Sequence, residues 1–443
     1  MLKRTLEQDL LNWKGVKERR PLVLRGARQV GKSFLIREFA RHHFSDFVEI
    51  NFEKHPELKA LFKSTDVKKI VKGLSQWSNQ EIVPGKSLLF IDEIQESPQA
   101  LLALRYFFEE LPHLHVVAAG SLLDFLLREQ PEELRIPVGR IEYKYLHPLS
   151  FKEFLLATQQ SGLLAAIADM KVDAPLLPLL HEKALQQIEI YLRVGGMPAA
   201  VSAYQQSPES FRFREVQAAI TQTYREDFLK YQSRVDKDII ETVFRKLPLF
   251  ATKKFKYVDL ASDTQSRTIK AVLELFDRAR VISKVFVTAA NGLPFDAESD
   301  VDRFKFIFID CGLMAQMQQI PVSLQQGFNL DLLNSGALAE QFVGQELLLL
   351  LESYDEPRLY YWHRESKSSQ AEVDYVIADR GQVIPVEVKA GKTGRLKSLR
   401  IFMETKNPRI GVRISQHEVS FIDGILSVPL YAVSEIPRLS LGC

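Results

Sequence analysis

Over the first 145 residues, short apolar runs alternate with longer stretches whose apolar positions recur every three or four residues. The runs PLVLRG, FVEINFE, SLLFIDE, HVVAAGS and IEYKYL predict strands, and the 3.6-residue spacing between them predicts helices. That alternation predicts an α/β unit over residues 1–147, a parallel sheet covered by helices. From 148 to 224 the pattern is helical, through FKEFLLATQQ, LLAAIADM and EKALQQIEIYL, and predicts a small helical lid.

Residues 225–330 contain KYVDLASDTQSRTIKAVLELFDRARVISKV, a short helix, a polar turn, an amphipathic helix and a strand, the order of a winged helix-turn-helix. Residues 331–443 open with the helical ALAEQFVGQELLLLLESY and continue with strands RLYYW, AEVDYVIA and VIPVEVKA, a mixed α/β unit. No internal repeat or low-complexity linker interrupts the chain, and AYQQSPESF at 203–211 is the best candidate hinge.

With 443 residues, 46% hydrophobic and 26% charged, the chain is long enough for several folded units and is not a disordered polymer. Its two cysteines, Cys311 and Cys443, are too few for a thiolate metal site or a disulfide framework. The opening MLKRTLEQDLLNWKGVKERR is broken by charges and lacks the core of a secretory signal, and the run LLLLLESY is too short to cross a bilayer. A cytosolic (cytoplasmic) protein with no membrane partner is therefore expected. A net charge of +2 gives no bulk attraction to nucleic acid, so DNA would have to meet a local basic patch.

The most specific chemistry is GARQVGKS at 26–33, a match to G-x-x-x-x-G-K-[ST] between a strand and a helix. Gly26 and Gly31 let the backbone of Ala27, Arg28, Gln29 and Val30 curl around phosphates, with Phe34 next along the chain. Lys32 offers a point charge to the β and γ phosphates of ATP, and Ser33 a hydroxyl to Mg²⁺. LLFIDEIQ at 88–95 ends a buried strand in two acids: Asp92 to hold Mg²⁺ through water, and Glu93 to orient or deprotonate the attacking water. Arg140 precedes the fifth strand, where an arginine can reach a neighbouring subunit's γ-phosphate, with Arg128 and Arg135 as rivals. An arginine acting in trans requires a homo-oligomer.

Together with AAGSLLDF, GRIEYKYLHPLSFKEF, VGGMP, IFIDCGLMAQM and GALAEQFVGQEL, these motifs give a chain that resembles the bacterial and archaeal AAA-type ATPases with a C-terminal domain of unknown function. The resemblance implies a P-loop AAA-type core with helical lid, a winged helix, and a terminal fold similar to restriction-type nucleases. It implies that Ser121 senses the γ-phosphate, although many such ATPases place Asn there. In VGGMPAAV, Pro198 lies against the adenine or simply follows a helix-ending turn; both readings stand. Ser33 replaces a threonine and can still ligate Mg²⁺.

In AEVDYVIADRGQVIPVEVKAG, alternation places Glu387 and Lys389 on one strand face, with Asp374 on the partner strand. In restriction-type nucleases such carboxylates share Mg²⁺ beside a lysine that activates water, with a further acid from the preceding helix, here Glu340 or alternatively Glu346. The competing reading is the solvated charged face of an edge hairpin. Lys253, Lys254, Lys256, Arg267, Lys270 and Arg278 form a candidate phosphate-facing patch, diluted by Glu274 and Asp277. The chain thus reads as a Mg²⁺-dependent ATPase whose nucleotide cycle controls a DNA-binding or nuclease-like module. The alternatives are a slow ATP switch that recruits a protein partner through an inactive terminal scaffold, and a sequence-specific DNA-binding regulator in which ATP only sets the oligomeric state.

Overall fold

The computed structural model describes residues 2–120, 139–231, 235–320, 335–366, 369–389 and 396–443. All five expected N-terminal strands form: β1 (Leu22–Arg25), β2 (Asp46–Asn51), β3 (Ser87–Asp92), β4 (His115–Ala119) and β5 (Glu142–Tyr145). They pair in parallel in the order β2-β3-β4-β1-β5. The two-residue alternation of a strand divides its side chains between two apolar layers. Leu22, Leu24, Leu88 and Phe90 enter one layer, while Val23, Leu89 and Ile91 enter the other. Because β1 lies beside β4, which follows it three strands later in the chain, a crevice opens at the carboxyl ends where the strand order reverses. Helices α1 (Leu6–Gly15), α2 (Lys32–His43), α3 (Val67–Ser78) and α4 (Pro98–Glu110) flank this sheet.

The helical region holds α5 (Phe151–Ala157), α6 (Ser161–Asp169), α7 (Pro178–Val194), α8 (Pro198–Gln206) and α9 (Arg212–Tyr231). A reciprocal capping box between Ser150 and Glu153 starts α5, and prolines start α7 and α8 where no backbone N–H is needed. Helix α9 runs straight through residue 224, so no chain break marks that expected boundary.

Beyond it come α10 (Lys237–Phe250), α11 (Tyr257–Leu260), α12 (Ser266–Arg278) and a hairpin of β6 (Ile282–Thr288) and β7 (Ser299–Phe308). Helix α12 buries Ile269, Val272, Leu273 and Phe276 at the expected three- and four-residue spacing. The hairpin does not stand free as a wing. Strand β6 pairs in parallel with β8 (Leu359–Ser366), so residues on both sides of position 330 share one sheet. With β9 (Ser369–Asp379), β10 (Gln382–Val388), β11 (Gly411–Ser415), β12 (Ser420–Ile422) and β13 (Ile425–Pro429), its order is β12-β13-β11-β10-β9-β8-β6-β7.

Strand β10 therefore lies inside the sheet, between antiparallel β9 and parallel β11, and Glu387 is only 4% exposed. This overturns the edge-hairpin reading: the parallel partner comes from 411–415, on the far side of an intervening helix, and local alternation carries no trace of it. Helices α13 (Cys311–Met317) and α14 (Ser335–Leu348) lie between β7 and β8 in the chain. One apolar cluster runs from Leu6 to Leu439. Among the described residues no helix is long and apolar enough to cross a membrane.

Candidate functional site

Where the chain leaves β1 it turns through three positive-φ positions, Gly26 at 148°, Gln29 at 65° and Gly31 at 95°. A Cβ on Gly26 would lie 2.2 Å from the carbonyl oxygen of Leu146, so glycine is required there. Helix α2 then begins without a side-chain cap, which leaves its first amides free to meet an anion. Lys32 is buried and donates to the carbonyl oxygens of Gly26 (2.9 Å) and Ala27 (2.8 Å) of its own loop. Burial lowers its ammonium pKa to about 8, against the opposing pull of Glu93 and Asp92.

Ser33 Oγ donates to Asp92 Oδ2 at 2.9 Å, and Asn51 Nδ2 donates to the same oxygen at 3.2 Å. Loop and third strand thus converge as the motifs require. A hydroxyl and a carboxylate at the mouth of a phosphate-cradling loop are hard oxygen donors and fit Mg²⁺. Glu93 departs from the strand at φ 52°, so its carboxylate leaves the direction set by Asp92. Burial, aided by Asp92, raises the Glu93 pKa, while Gln95 Nε2, donating to Glu93 Oε2 at 2.5 Å, pulls the other way.

Several site residues carried no motif signal. Asn51 and Gln95 hold the two acids. A Cβ on Gly120, just after β4, would come within 2.3 Å of Gln95 Oε1, so the glycine makes room for it. Arg28 Nη1 donates to Asp227 Oδ2 at 2.6 Å and the Tyr224 hydroxyl donates to the Arg28 carbonyl at 2.5 Å, tying the loop to α9. Arg4 Nη1 donates to the Val30 carbonyl at 2.9 Å and its Nε to Glu153 at 3.2 Å, tying the loop to α5. Contacts this far apart in sequence leave no local pattern.

A cavity of about 540 Å³ opens beside the loop, lined by Leu2, Arg4, Gly31, Phe34, Leu149 and Pro198 among others. That volume is within the range of small-molecule sites. Pro198 stands against the loop, since a Cβ on Gly31 would be 3.5 Å from its Cγ. The preceding glycines make a close crossing. Gly196 N–H donates to Asp310 Oδ2 at 2.6 Å, and its carbonyl accepts from Leu149 N–H at 2.7 Å. A Cβ on Gly195 would fall 2.1 Å from Asp310 Oδ1.

Asp310 is buried, which raises its pKa to about 6 despite the backbone N–H groups it accepts. Gln345 joins the crossing, accepting from Cys311 N–H at 3.1 Å and donating to the Tyr191 hydroxyl at 2.9 Å. Glu346 accepts from Phe151 N–H at 2.9 Å, and burial raises its pKa to about 8. Glu346 therefore serves the start of α5 and not the terminal sheet. The sequence segments VGGMP, IDCG and GQEL meet here.

Arg140 lies on the surface, its Nε 3.0 Å from Glu109 Oε1, an oxygen it shares with Arg105. Its guanidinium also lies 5.9 Å from the ring centroid of Phe108, so both contacts are with α4 and neither is with loop 26–33. Ser121, Arg128 and Arg135 lie outside the described residues.

In the terminal sheet, Glu340, Asp374, Glu387 and Lys389 do come together. Lys389 Nζ sits 2.6 Å from Glu387 Oε1, and Asp374 Oδ2 accepts from Val388 N–H at 2.7 Å. Three further groups were not read from the sequence as members. Lys305 of β7 is fully buried with Nζ 2.5 Å from Glu340 Oε1 and 3.5 Å from Glu372 Oε1. Burial alone would lower the Lys305 pKa, but Glu340, Asp374 and Glu372 outweigh it and hold it raised. Lys254, expected to face phosphate, pairs with Glu372 Oε2 at 2.5 Å, and Lys270 pairs with Asp302 at 2.6 Å.

Residues 18–155 match the family model of an AAA domain, and 185–324 and 335–433 match two models of domains of unknown function. No curated protein matches the chain. Similar solved structures include the Walker-type ATPase paby2304 of Pyrococcus abyssi, 16% identical with a TM-score of 0.46, covering 72% of this chain and 96% of that one. The RuvB Holliday junction branch migration motor of Thermotoga maritima is 15% identical with a TM-score of 0.31, over 64% and 90% of the two chains. The ORC2 protein of Aeropyrum pernix is 12% identical with a TM-score of 0.29, over 71% and 90%. The domain match and the loop geometry agree that residues 18–155 carry an AAA-type, P-loop ATPase fold.

Proposed function

We propose that the protein binds ATP with Mg²⁺ on loop 26–33, hydrolyses it, and uses the cycle to control its C-terminal module. The observation that carries this reading is the 2.9 Å bond from Ser33 to Asp92, which unites the phosphate loop and the acidic strand end. Ser33 and Asp92 would hold the metal, which when bound neutralises charge on the phosphates. Lys32 exchanges its two loop carbonyls for phosphate oxygens. Glu93 orients the attacking water and takes its proton, a role that a burial-raised carboxyl pKa suits. Ser121 senses the γ-phosphate, Pro198 with Phe34 packs on the adenine, and Arg140 reaches a neighbouring copy in a homo-oligomer once it releases Glu109.

The crossing of Gly195 and Gly196 with Asp310 transmits the cycle to the segments that follow, where DNA is the partner of this first reading. A second reading, a slow switch that recruits a protein partner, is favoured by the resting contacts of Lys32 and Glu93, since both must break before turnover. Calorimetry and ATP turnover in Mg²⁺ test both. Lys32→Ala is expected to abolish nucleotide binding, and Glu93→Gln to keep it while slowing turnover roughly 10²–10⁴-fold. Turnover stimulated by DNA supports the first reading; nucleotide retained through purification with scant turnover supports the second. A wild-type protein without ATP affinity would end both.

A further inference from the structure

The likeness to restriction-type nucleases implies a divalent ion held by Glu340, Asp374 and Glu387, and the side chains present do not fit one. One oxygen of each is already engaged: Glu340 Oε1 by the Lys305 ammonium, Glu387 Oε1 by Lys389, Asp374 Oδ2 by the backbone N–H of Val388. Glu387 Oε2 alone in this cluster is buried without a partner, one oxygen and not a ligand set. Among the described residues no three His, Cys, Asp or Glu side chains are arranged to hold a metal.

Lys305 is housed as a cation in its own right. Its Nζ meets Glu340 and Glu372 and lies 5.2 Å from the ring centroid of Tyr361 and 5.3 Å from that of Tyr375, within cation–π range of both. A divalent ion among the same carboxylates would stand beside two ammonium groups, Lys305 as well as Lys389, where the nuclease arrangement has one. Lys305 also comes from β7, on the other side of position 330 from the acids it neutralises, and Lys254 reaches Glu372 from that side too.

We infer that the Lys305 ammonium is the resident cation of this centre, taking the place of a divalent metal and locking residues 235–320 onto the terminal sheet. The assignment is independent of nucleotide binding, because Lys305 lies outside loop 26–33.

Thermal melts of the full-length, nucleotide-free protein in excess Mn²⁺ and in EDTA test it. The wild-type melting temperature is expected to be the same in both. Lys305→Met is expected to lower it by roughly 5–10 °C, because buried carboxylates lose their counter-charge. The double variant Lys305→Met with Glu340→Gln is expected to recover part of that loss. A Mn²⁺-dependent rise in the wild type that disappears in Asp374→Asn would overturn the assignment, as would a Lys305→Met protein that melts like the wild type. If Lys305→Met does not fold, the wild-type comparison and the double variant still decide.

Discussion

Asp92 and Glu93 are adjacent acids with different surroundings, and one backbone angle separates them. Asp92 ends β3 and meets Ser33 and Asn51, while the left-handed φ of Glu93 turns its carboxylate toward Gln95. The sequence identifies both acids because a strand ending in Asp-Glu beside a phosphate loop leaves few other roles. It does not reveal Gln95, whose part depends on that turn and on the missing side chain at Gly120.

Glu346 carries a prediction at this scale. Its folded-state pKa, about 8, lies above that of an unfolded glutamate, so its contribution to stability is fully present in acid and is lost as pH rises through about 8. Glu346→Gln keeps an acceptor for Phe151 N–H and removes the ionisation. The variant's melting temperature should therefore climb relative to the wild type between pH 5 and 9, by the equivalent of a few kcal/mol at the alkaline end, at about 1.4 kcal/mol per pKa unit.

Among the elements, the glycine pair between α7 and α8 is the clearest case of sequence leaving two readings that structure joins. It ends a helix, with Gly195 N–H donating to the Tyr191 carbonyl, and it also sets Pro198 beside the phosphate loop. Gly195→Ala would strain a φ of 73° and press on Asp310, so a loss of roughly 2–4 kcal/mol is expected in denaturant melts. Gly162→Ala, in α6 with open space around it, should be neutral or slightly stabilising.

Helix α9 reaches the loop through Asp227, and Asp227→Asn should weaken ATP binding roughly 2–10-fold in calorimetry by loosening Arg28. Unchanged affinity would mean that this tether does not shape the loop. The hairpin of β9 and β10 shows the limit of local pattern: alternation identified which residues share a face, but not that the face is covered.

For the molecule as a whole, all five N-terminal strands were legible as apolar runs, whereas the strand order was not, since it depends on which runs pair. The expected boundary at 330 separates chain segments and not folded bodies, because β6 and β8 pair across it and one apolar cluster spans both sides. A chain ending at 330 would leave β6 unpaired on one edge and expose the apolar face that α14 and β8 cover. It should aggregate on size-exclusion chromatography, and a soluble, folded 1–330 fragment would contradict the shared core.

Only Met197 separates the Gly195–Gly196 crossing from Pro198, where α8 and the cavity beside the phosphate loop begin. Asp310 accepts from Gly196 N–H and from Leu313 N–H alike, so any displacement of α8 would load the crossing and the cap of α13 together.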